Sequence, residues 1–220
     1  MTHGFSLAVK CGVLTVACAI LAGCTATYVA AWKQLGWESR DLLVDQVGDT
    51  RSRQEAAKEQ FTSALDQFKA TYSFDGGDLE EAYNKLQKDY DRCVAQADDF
   101  RDEIGGVKRL GKAFFNEWES DIADQPDPSS KKMMVQQRDQ TQEMFDTMVA
   151  KMDEAADKMD PVLEAFRGRV LLLKSSLNAQ ALASLESNAD ELVDGIEALI
   201  VEMNQSIAEA DEFIAAMSAG

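Results

Sequence analysis

The feature that most constrains this 220-residue chain is a repeat of apolar residues spaced alternately four and three apart. Side chains with this spacing form one stripe along an α-helix, and we call such a stripe a seam. The clearest seam predicts a long helix that packs lengthwise against other helices at a shallow left-handed crossing. It consists of Leu79, Tyr83, Leu86, Tyr90, Cys93, Ala97, Phe100, Ile104, Val107, Gly111, Phe114 and Trp118.

Three further segments repeat the pattern. One seam follows later in the chain, at Phe145, Met148, Met152, Ala155, Met159, Val162 and Phe166. Another lies near the C-terminus, at Leu182, Leu185, Ala189, Leu192, Ile196, Leu199 and Met203. The weakest comes first, at Leu43, Val47, Thr50, Gln54, Ala57, Phe61, Ala64 and Phe68. Because Thr50 and Gln54 are polar, that stretch is either loosely packed or sets the register of the helices.

Turn residues separate the segments. Residues 74–77 contain two glycines, and Asp78 with Glu81 has the spacing of a capping box. In the loop at 124–128, Asp127 is expected to cap a helix whose first residue is Pro128. These signals predict where the second and third helices begin.

The last boundary is open. Asn178 can cap a helix, with Leu177 and Leu182 placed as a hydrophobic staple. Pro161 lies inside the third segment and is expected to kink or split that helix. If the Asn178 turn is wrong, a break at Pro161 gives three helices instead of four.

The fold prediction is all-α: an elongated, coiled-coil-like, antiparallel four-helix bundle. Short loops force consecutive helices to run in opposite directions, which gives an up-down-up-down order. No linker rich in Gly, Ser or Pro divides the chain, so we expect one bundle domain over residues 39–220.

The N-terminus has the pattern of a secretion signal. Lys10 precedes an apolar run at residues 11–20, which ends in Leu21, Ala22, Gly23 and Cys24. This ending resembles the lipobox of bacterial lipoproteins, in which the cysteine receives lipid and becomes the first residue. The alternative is an uncleaved membrane anchor, because no charge occurs between residues 11 and 32.

The lipobox interpretation divides the chain into a signal peptide at 1–23, a membrane-proximal segment at 24–38 and the bundle. Tyr28, Trp32 and Leu35 would lie at the membrane interface or cover the end of the bundle. Thr25, in place of an aspartate, favours the outer membrane by resemblance to lipoproteins of double-membrane bacteria. The expected location is therefore its periplasmic face, with lipid on Cys24 as the membrane attachment.

Charge and residue content narrow the function. The chain has 39 Asp and Glu against 22 Lys and Arg, a formal net charge of −17, which argues against nucleic acid as a partner. The only histidine, His3, is expected to leave with the signal, which excludes catalysis by histidine and metal sites that need histidine. A carboxylate-only metal site at Asp121, Asp124 and Asp127 is the alternative to a solvated cap region there. Cys93 lies on a seam and is expected to be an unreactive core residue. We therefore predict no enzyme activity, no cofactor and no metal.

Two further features have open interpretations. The C-terminal segment from Ser175 onward has nine acidic residues and no Lys or Arg. We expect a solvated face partly paired with Arg51, Arg53 and Lys58, with a surface for a cationic partner as the alternative. Mid-helix glycines predict close helix approach or a bend, with a phosphate-binding nest as a weaker option; these are Gly105, Gly106 and Gly111, with Gly48 near the same level.

Several segments resemble an uncharacterised bacterial lipoprotein family, domain-of-unknown-function family 2959. They are RDLLVDQV at 40–47, AKEQFTSALDQF at 57–68, FDGGDL at 74–79, KMDPVL at 158–163 and LNAQALASL at 177–185. The resemblance implies a helical, coiled-coil-like lipoprotein and supplies no activity or catalytic residue.

The resulting functional hypothesis is a lipid-anchored, non-enzymatic periplasmic scaffold or adaptor that engages an envelope protein. The alternative is a carrier or sensor that opens the bundle for an apolar or cationic ligand, and a carboxylate-dependent hydrolase is a third possibility. Apolar residues at the end of the bundle far from the lipid are the expected partner surface, unless they only close the core. The residues of this surface are Tyr72, Phe74, Leu172, Lys174 and Leu177.

Overall fold

The computed structural model describes residues 38–72, 79–175 and 189–219, and these residues form four helices without a strand. The helices are α1 (Ser39–Tyr72), α2 (Leu79–Asp124), α3 (Pro128–Ser175) and α4 (Ala189–Ala219). At 1.5 Å per residue, α2 and α3 are each about 70 Å long. None of the described helices has a stretch long and apolar enough to cross a membrane.

The helices form an antiparallel ring in which each packs against two neighbours. Arg51 pairs with Asp211 and Lys69 with Glu197, so residue numbers rise along α1 while they fall along α4. The same inversion relates α1 to α2 (Ser39 with Glu117, Gln60 with Cys93), α2 to α3 (Arg101 with Asp160, Glu119 with Arg138) and α3 to α4 (Phe145 with Phe213, Arg169 with Glu191). The predicted four-helix bundle is confirmed.

This arrangement gives the bundle two distinct ends. We call the base the end where α1 begins, α4 ends and residues 124–128 connect α2 to α3. We call the tip the opposite end, where α1 ends at Tyr72, α2 begins at Leu79 and α3 ends at Ser175. The chain therefore enters the bundle at the base.

The core follows the seams of α1, α3 and α4 and part of the α2 seam. Five α2 seam residues are only partly buried: Leu79, Tyr83, Tyr90, Phe114 and Trp118. Every seam residue of α3 and every described seam residue of α4 is buried. All eight seam positions of α1 are also buried, and Thr50 and Gln54 are fully excluded from solvent. The polar positions of α1 thus lie inside a closed core rather than along a loosely packed stretch.

Pro161 does not divide α3. The helix continues from Pro128 to Ser175, so the three-helix alternative with a break at Pro161 is wrong. Pro161 and Asp157 both lie on the exposed side of the helix, where water can satisfy the carbonyl that loses its backbone donor. The adjacent Met159 and Val162 are buried and hold both sides of the proline in the core.

The N-terminus of α3 is capped as predicted. The backbone N–H of Ser130 donates to Oδ2 of Asp127 over 2.7 Å, and Pro128 is the first helical residue. These backbone hydrogen bonds lower the pKa of Asp127. The turn at 74–77, the capping box at Asp78 and the staple at Asn178 lie outside the described residues.

Two mid-helix glycines of α2 permit close approach, as predicted. A β-carbon at Gly111 would lie 2.7 Å from Cε2 of Phe145, and one at Gly106 would lie 2.9 Å from the side-chain amide of Gln46. Gly48 differs, because a β-carbon there would meet nothing within 4 Å. Close packing therefore explains Gly106 and Gly111 but not Gly48.

Candidate functional sites at the two ends of the bundle

The tip contains part of the predicted partner surface. Tyr72 is the last residue of α1, and Leu172 and Lys174 lie in the last turn of α3. Phe74 and Leu177 lie outside the described residues. Leu172 and Lys174 are exposed, whereas Leu173 between them is buried in the core.

Exposed leucines distinguish the end of α3 from most of the surface. Leu171 is 49% exposed and Leu172 is 36% exposed, so two consecutive residues near the end of α3 have large apolar side chains in contact with solvent. Leu173 is fully buried and is the core residue of α3 at this level. Core closure thus accounts for Leu173, whereas Leu171 and Leu172 are the exposed leucines at the end of α3.

The predicted lipid site lies outside the described residues, as do Tyr28, Trp32 and Leu35. The structure fixes only the end at which this segment joins the bundle. Ser39, the first residue of α1, is buried against α2 and hydrogen-bonds to Glu117. A chain arriving from Cys24 reaches the bundle at the base, opposite Leu171 and Leu172.

A cleft of about 420 Å³ opens at the base. It forms because α2 continues for about two turns beyond the level of Ser39, while α1 has not yet begun. We call it the base cleft. Its lining comes from all four helices: Glu38, Ser39, Arg40, Phe114, Glu117, Trp118, Asp121, Gln137, Thr141, Ala216 and Met217.

Aromatic side chains form one wall of the base cleft. The ring centroids of Phe114 and Trp118 are 5.3 Å apart, and both side chains are half-buried. Behind them, the ring of Phe115 lies parallel to Trp118 at 6.4 Å and meets Phe145 edge-on at 5.4 Å. Because this second layer is buried, the rings of Phe114 and Trp118 are held in place from the core side.

The polar lining of the cleft is mainly acidic. Three carboxylates, from Glu38, Glu117 and Asp121, face one guanidinium, that of Arg40. Glu117 accepts a hydrogen bond from the Ser39 hydroxyl, which ties α2 to the beginning of α1. Arg40 also lies 3.6 Å from the carboxylate of Asp41.

The acidic α4 is partly neutralised by its neighbours. Arg51 contacts Asp211 as expected, and the hydrogen bond raises the pKa of Arg51. Lys58 instead donates to the amide oxygen of Asn204, and Arg53 faces Glu103 of α2. The remaining partners come from other positions: Lys69 pairs with Glu197, Lys158 with Glu202 and Arg169 with Glu191.

Cys93 lies in the core at a seam position, as predicted. Its side chain is fully buried and its Sγ lies 3.8 Å from the backbone oxygen of Gln60. Burial, with a smaller contribution from Asp89, raises the pKa of the thiol to about 12. At neutral pH the group is therefore protonated and poorly nucleophilic.

The described carboxylates do not converge on a metal site. Within residues 38–72, 79–175 and 189–219, no group of three or more His, Cys, Asp or Glu is placed to hold a metal ion. Asp121 lines the base cleft, whereas Asp127 caps α3, so these two acids have different structural roles.

The fold is an up-down-up-down bundle that combines a closed core with a cleft at one end. The chain belongs to the family described as "Protein of unknown function (DUF2959)", which matches residues 28–217. The family resemblance noted from the sequence is thereby confirmed, and the lipid anchor stays a prediction. No curated protein and no solved structure matches the chain.

Sequence reasoning missed the base cleft. In the sequence, Phe114 and Trp118 are the last two residues of the α2 seam, and this position predicts core residues. The cleft arises from where α1 begins and α4 ends relative to α2 and α3. That offset depends on how the helices align, which the spacing of apolar residues within one helix does not encode.

Proposed function

We propose that this protein is a lipid-anchored, non-enzymatic periplasmic scaffold that holds an envelope protein partner at its tip. The anchor is lipid on Cys24, at the periplasmic face of the outer membrane. The bundle acts as a rigid spacer of about 70 Å between the membrane and the partner.

The observation that carries this proposal is the pair of exposed leucines, Leu171 and Leu172, at the end of the bundle opposite the chain entry. Adjacent exposed apolar side chains favour contact with another protein. A surface at the tip also has the greatest reach from an anchor near the base. Lys174 adds a positive charge to an otherwise acidic molecule and gives the surface polar specificity.

The anchor is tested by Cys24→Ser. We expect the variant to accumulate as a precursor or to leave the membrane fraction, because lipid chains supply the membrane affinity. Intact mass and fractionation of the unaltered protein and the variant provide the measurement. Tight membrane retention with unchanged mass in the variant would contradict the lipid anchor and favour an uncleaved span.

The partner surface is tested by photocrosslinking in intact cells. A crosslinking residue at Leu172 is compared with one at Met133, which is also exposed, apolar and on α3 but lies near the base. We expect Leu172 to capture a discrete envelope protein and Met133 to capture none. Capture from Met133 alone, or from neither position, would overturn the tip as the partner surface.

A second candidate function is ligand binding, and the base cleft is the observation that favours it. Its volume lies within the range of small-molecule sites. In contrast to a carrier that opens its core, this cleft exists among the described residues without separation of the four helices. Small molecules that co-purify with the protein would support it.

A further inference from the structure

The base cleft contains two kinds of group that attract the same type of ligand. The half-buried rings of Phe114 and Trp118 line the cleft, and the quadrupole of an aromatic ring attracts cations to its face. The carboxylates of Glu38, Glu117 and Asp121 outnumber the single guanidinium of Arg40. Aromatic and acidic groups on one concave surface together favour a positively charged occupant.

Other ligand classes fit the lining less well. An anion would face three carboxylates in a chain with a formal net charge of −17. A neutral apolar molecule would displace water from those carboxylates without replacing their interactions. A metal ion needs converging ligands, and the described acids form no such group.

We propose that the base cleft binds an organic ammonium group with a small apolar body, of which choline is the simplest example. The methyl groups and charge of the ammonium contact Phe114 and Trp118, and Asp121 with Glu38 supplies the counter-charge. Arg40 also lines the cleft and is the group there that could pair with a phosphate attached to the same ligand. The proposal specifies the ligand of the second candidate function and does not depend on the partner at the tip.

This chemistry has two sources: a free amine, or the headgroup of a zwitterionic phospholipid. The base is the end that an anchor on Cys24 would turn toward the membrane, so both sources are within reach. Arg40 distinguishes them, because only the phospholipid headgroup carries a phosphate next to the ammonium. Glycerophosphocholine represents the headgroup as a soluble probe.

The test is calorimetric titration of the purified full chain in a neutral detergent, with ionic strength fixed by sodium chloride. The probes are choline and 3,3-dimethylbutan-1-ol, which has the same shape without the charge. We expect choline to bind and the neutral alcohol to bind at least several-fold more weakly. Equal binding of the two, or no binding of choline in the millimolar range, would overturn the proposal.

Matched variants locate the binding. Asp121→Asn removes a carboxylate from the cleft, whereas Asp124→Asn removes another exposed one from the same helix outside it. We expect roughly fivefold weaker choline binding for Asp121→Asn, as for the loss of one partly screened charge contact, and no change for Asp124→Asn. Equal effects would mean that the net charge attracts choline without a site, which contradicts the proposal.

Glu38→Gln gives the same information if Asp121→Asn disturbs the helix, which circular dichroism would reveal.

Titration with glycerophosphocholine distinguishes a free amine from a phospholipid headgroup as the source of the ammonium group. Tighter binding of glycerophosphocholine than of choline, with the difference lost in Arg40→Gln, assigns the headgroup. Equal or weaker binding of glycerophosphocholine assigns a free amine, and either result keeps the ammonium site.

Discussion

Two layers of the core are built on opposite principles. Near the base, Gly111, Phe115, Phe145 and Phe213 form an aromatic layer, in which ring centroids lie 5.4 to 5.8 Å apart. Further along the bundle, Gln54 and Ser206 form a polar layer, in which the Ser206 hydroxyl donates to Oε1 of Gln54 over 3.1 Å. The first layer depends on shape, and the second is joined by a hydrogen bond.

The two layers differ in how completely their groups are matched. In the aromatic layer, the missing side chain of Gly111 makes the space that the ring of Phe145 fills. In the polar layer, Nε2 of Gln54 is buried and donates to no atom of the described protein. Burying an unpaired donor costs free energy, whereas complementary aromatic packing contributes it. We infer that the aromatic layer near the base contributes more to the free energy of unfolding than the polar layer does. We expect the polar layer instead to fix how the helices align with one another.

The largest effect is expected from Phe145→Ala. Removing the ring leaves an empty space beside Gly111 and breaks the contacts with Phe115 and Phe213, so the free energy of unfolding should fall by about 3–5 kcal/mol. Denaturant unfolding measures it. The control is Met144→Ala, one residue earlier and 37% exposed, which should change stability little. Similar losses in both variants would contradict a stability centre at Phe145.

A smaller loss is expected from Gly111→Ala. The added methyl group overlaps the ring of Phe145, so overpacking should cost about 1–3 kcal/mol despite the better helix propensity of alanine. Gly48→Ala is the matched control, because the same methyl group meets nothing within 4 Å there. That variant should gain about 0.5–1 kcal/mol. A gain in both variants would show that the Gly111–Phe145 contact relaxes without strain.

The sequence made much of this architecture predictable. Seam residues such as Phe100 and Met152 are core residues because a fixed spacing along a helix dictates a fixed face. Asp127 and Pro128 were predictable because capping is local chemistry. The residue that faces Gly111 could not be predicted, because the ring of Phe145 comes from α3 and its position depends on how the helices align. Likewise, Gln54 at a seam position indicated a polar group in the core. The sequence did not identify Ser206, 152 positions away, as its partner.

The thiol of Cys93 is a third buried group, and its effect on stability can be measured through pH. Its pKa is raised from an ordinary value of 9.0 to about 12, so the folded state resists ionisation. Stability from this group is therefore complete below pH 9 and is lost as pH rises toward 12. Over that range the free energy of unfolding should fall by about 1 kcal/mol per pH unit more than in Cys93→Ala. Parallel pH profiles in the two proteins would contradict a buried thiol.

The smallest effect is expected in the polar layer. Gln54→Leu removes the unpaired Nε2 together with the acceptor of Ser206, so loss and gain largely cancel, and the free energy of unfolding should change by no more than about 1 kcal/mol. The double variant Gln54→Leu with Ser206→Ala removes both polar partners and should be at least as stable as the unaltered protein, because a well-packed apolar pair needs no hydrogen bond. Any cost should appear in the specificity of the fold, as a broader unfolding transition or faster labelling of the Cys93 thiol. The reason is that an apolar pair no longer opposes a slipped alignment of α1 against α4. Denaturant unfolding with thiol labelling measures both quantities. A loss of about 3 kcal/mol or more in the double variant would make the polar layer a centre of stability, and the contrast between the two layers would be wrong.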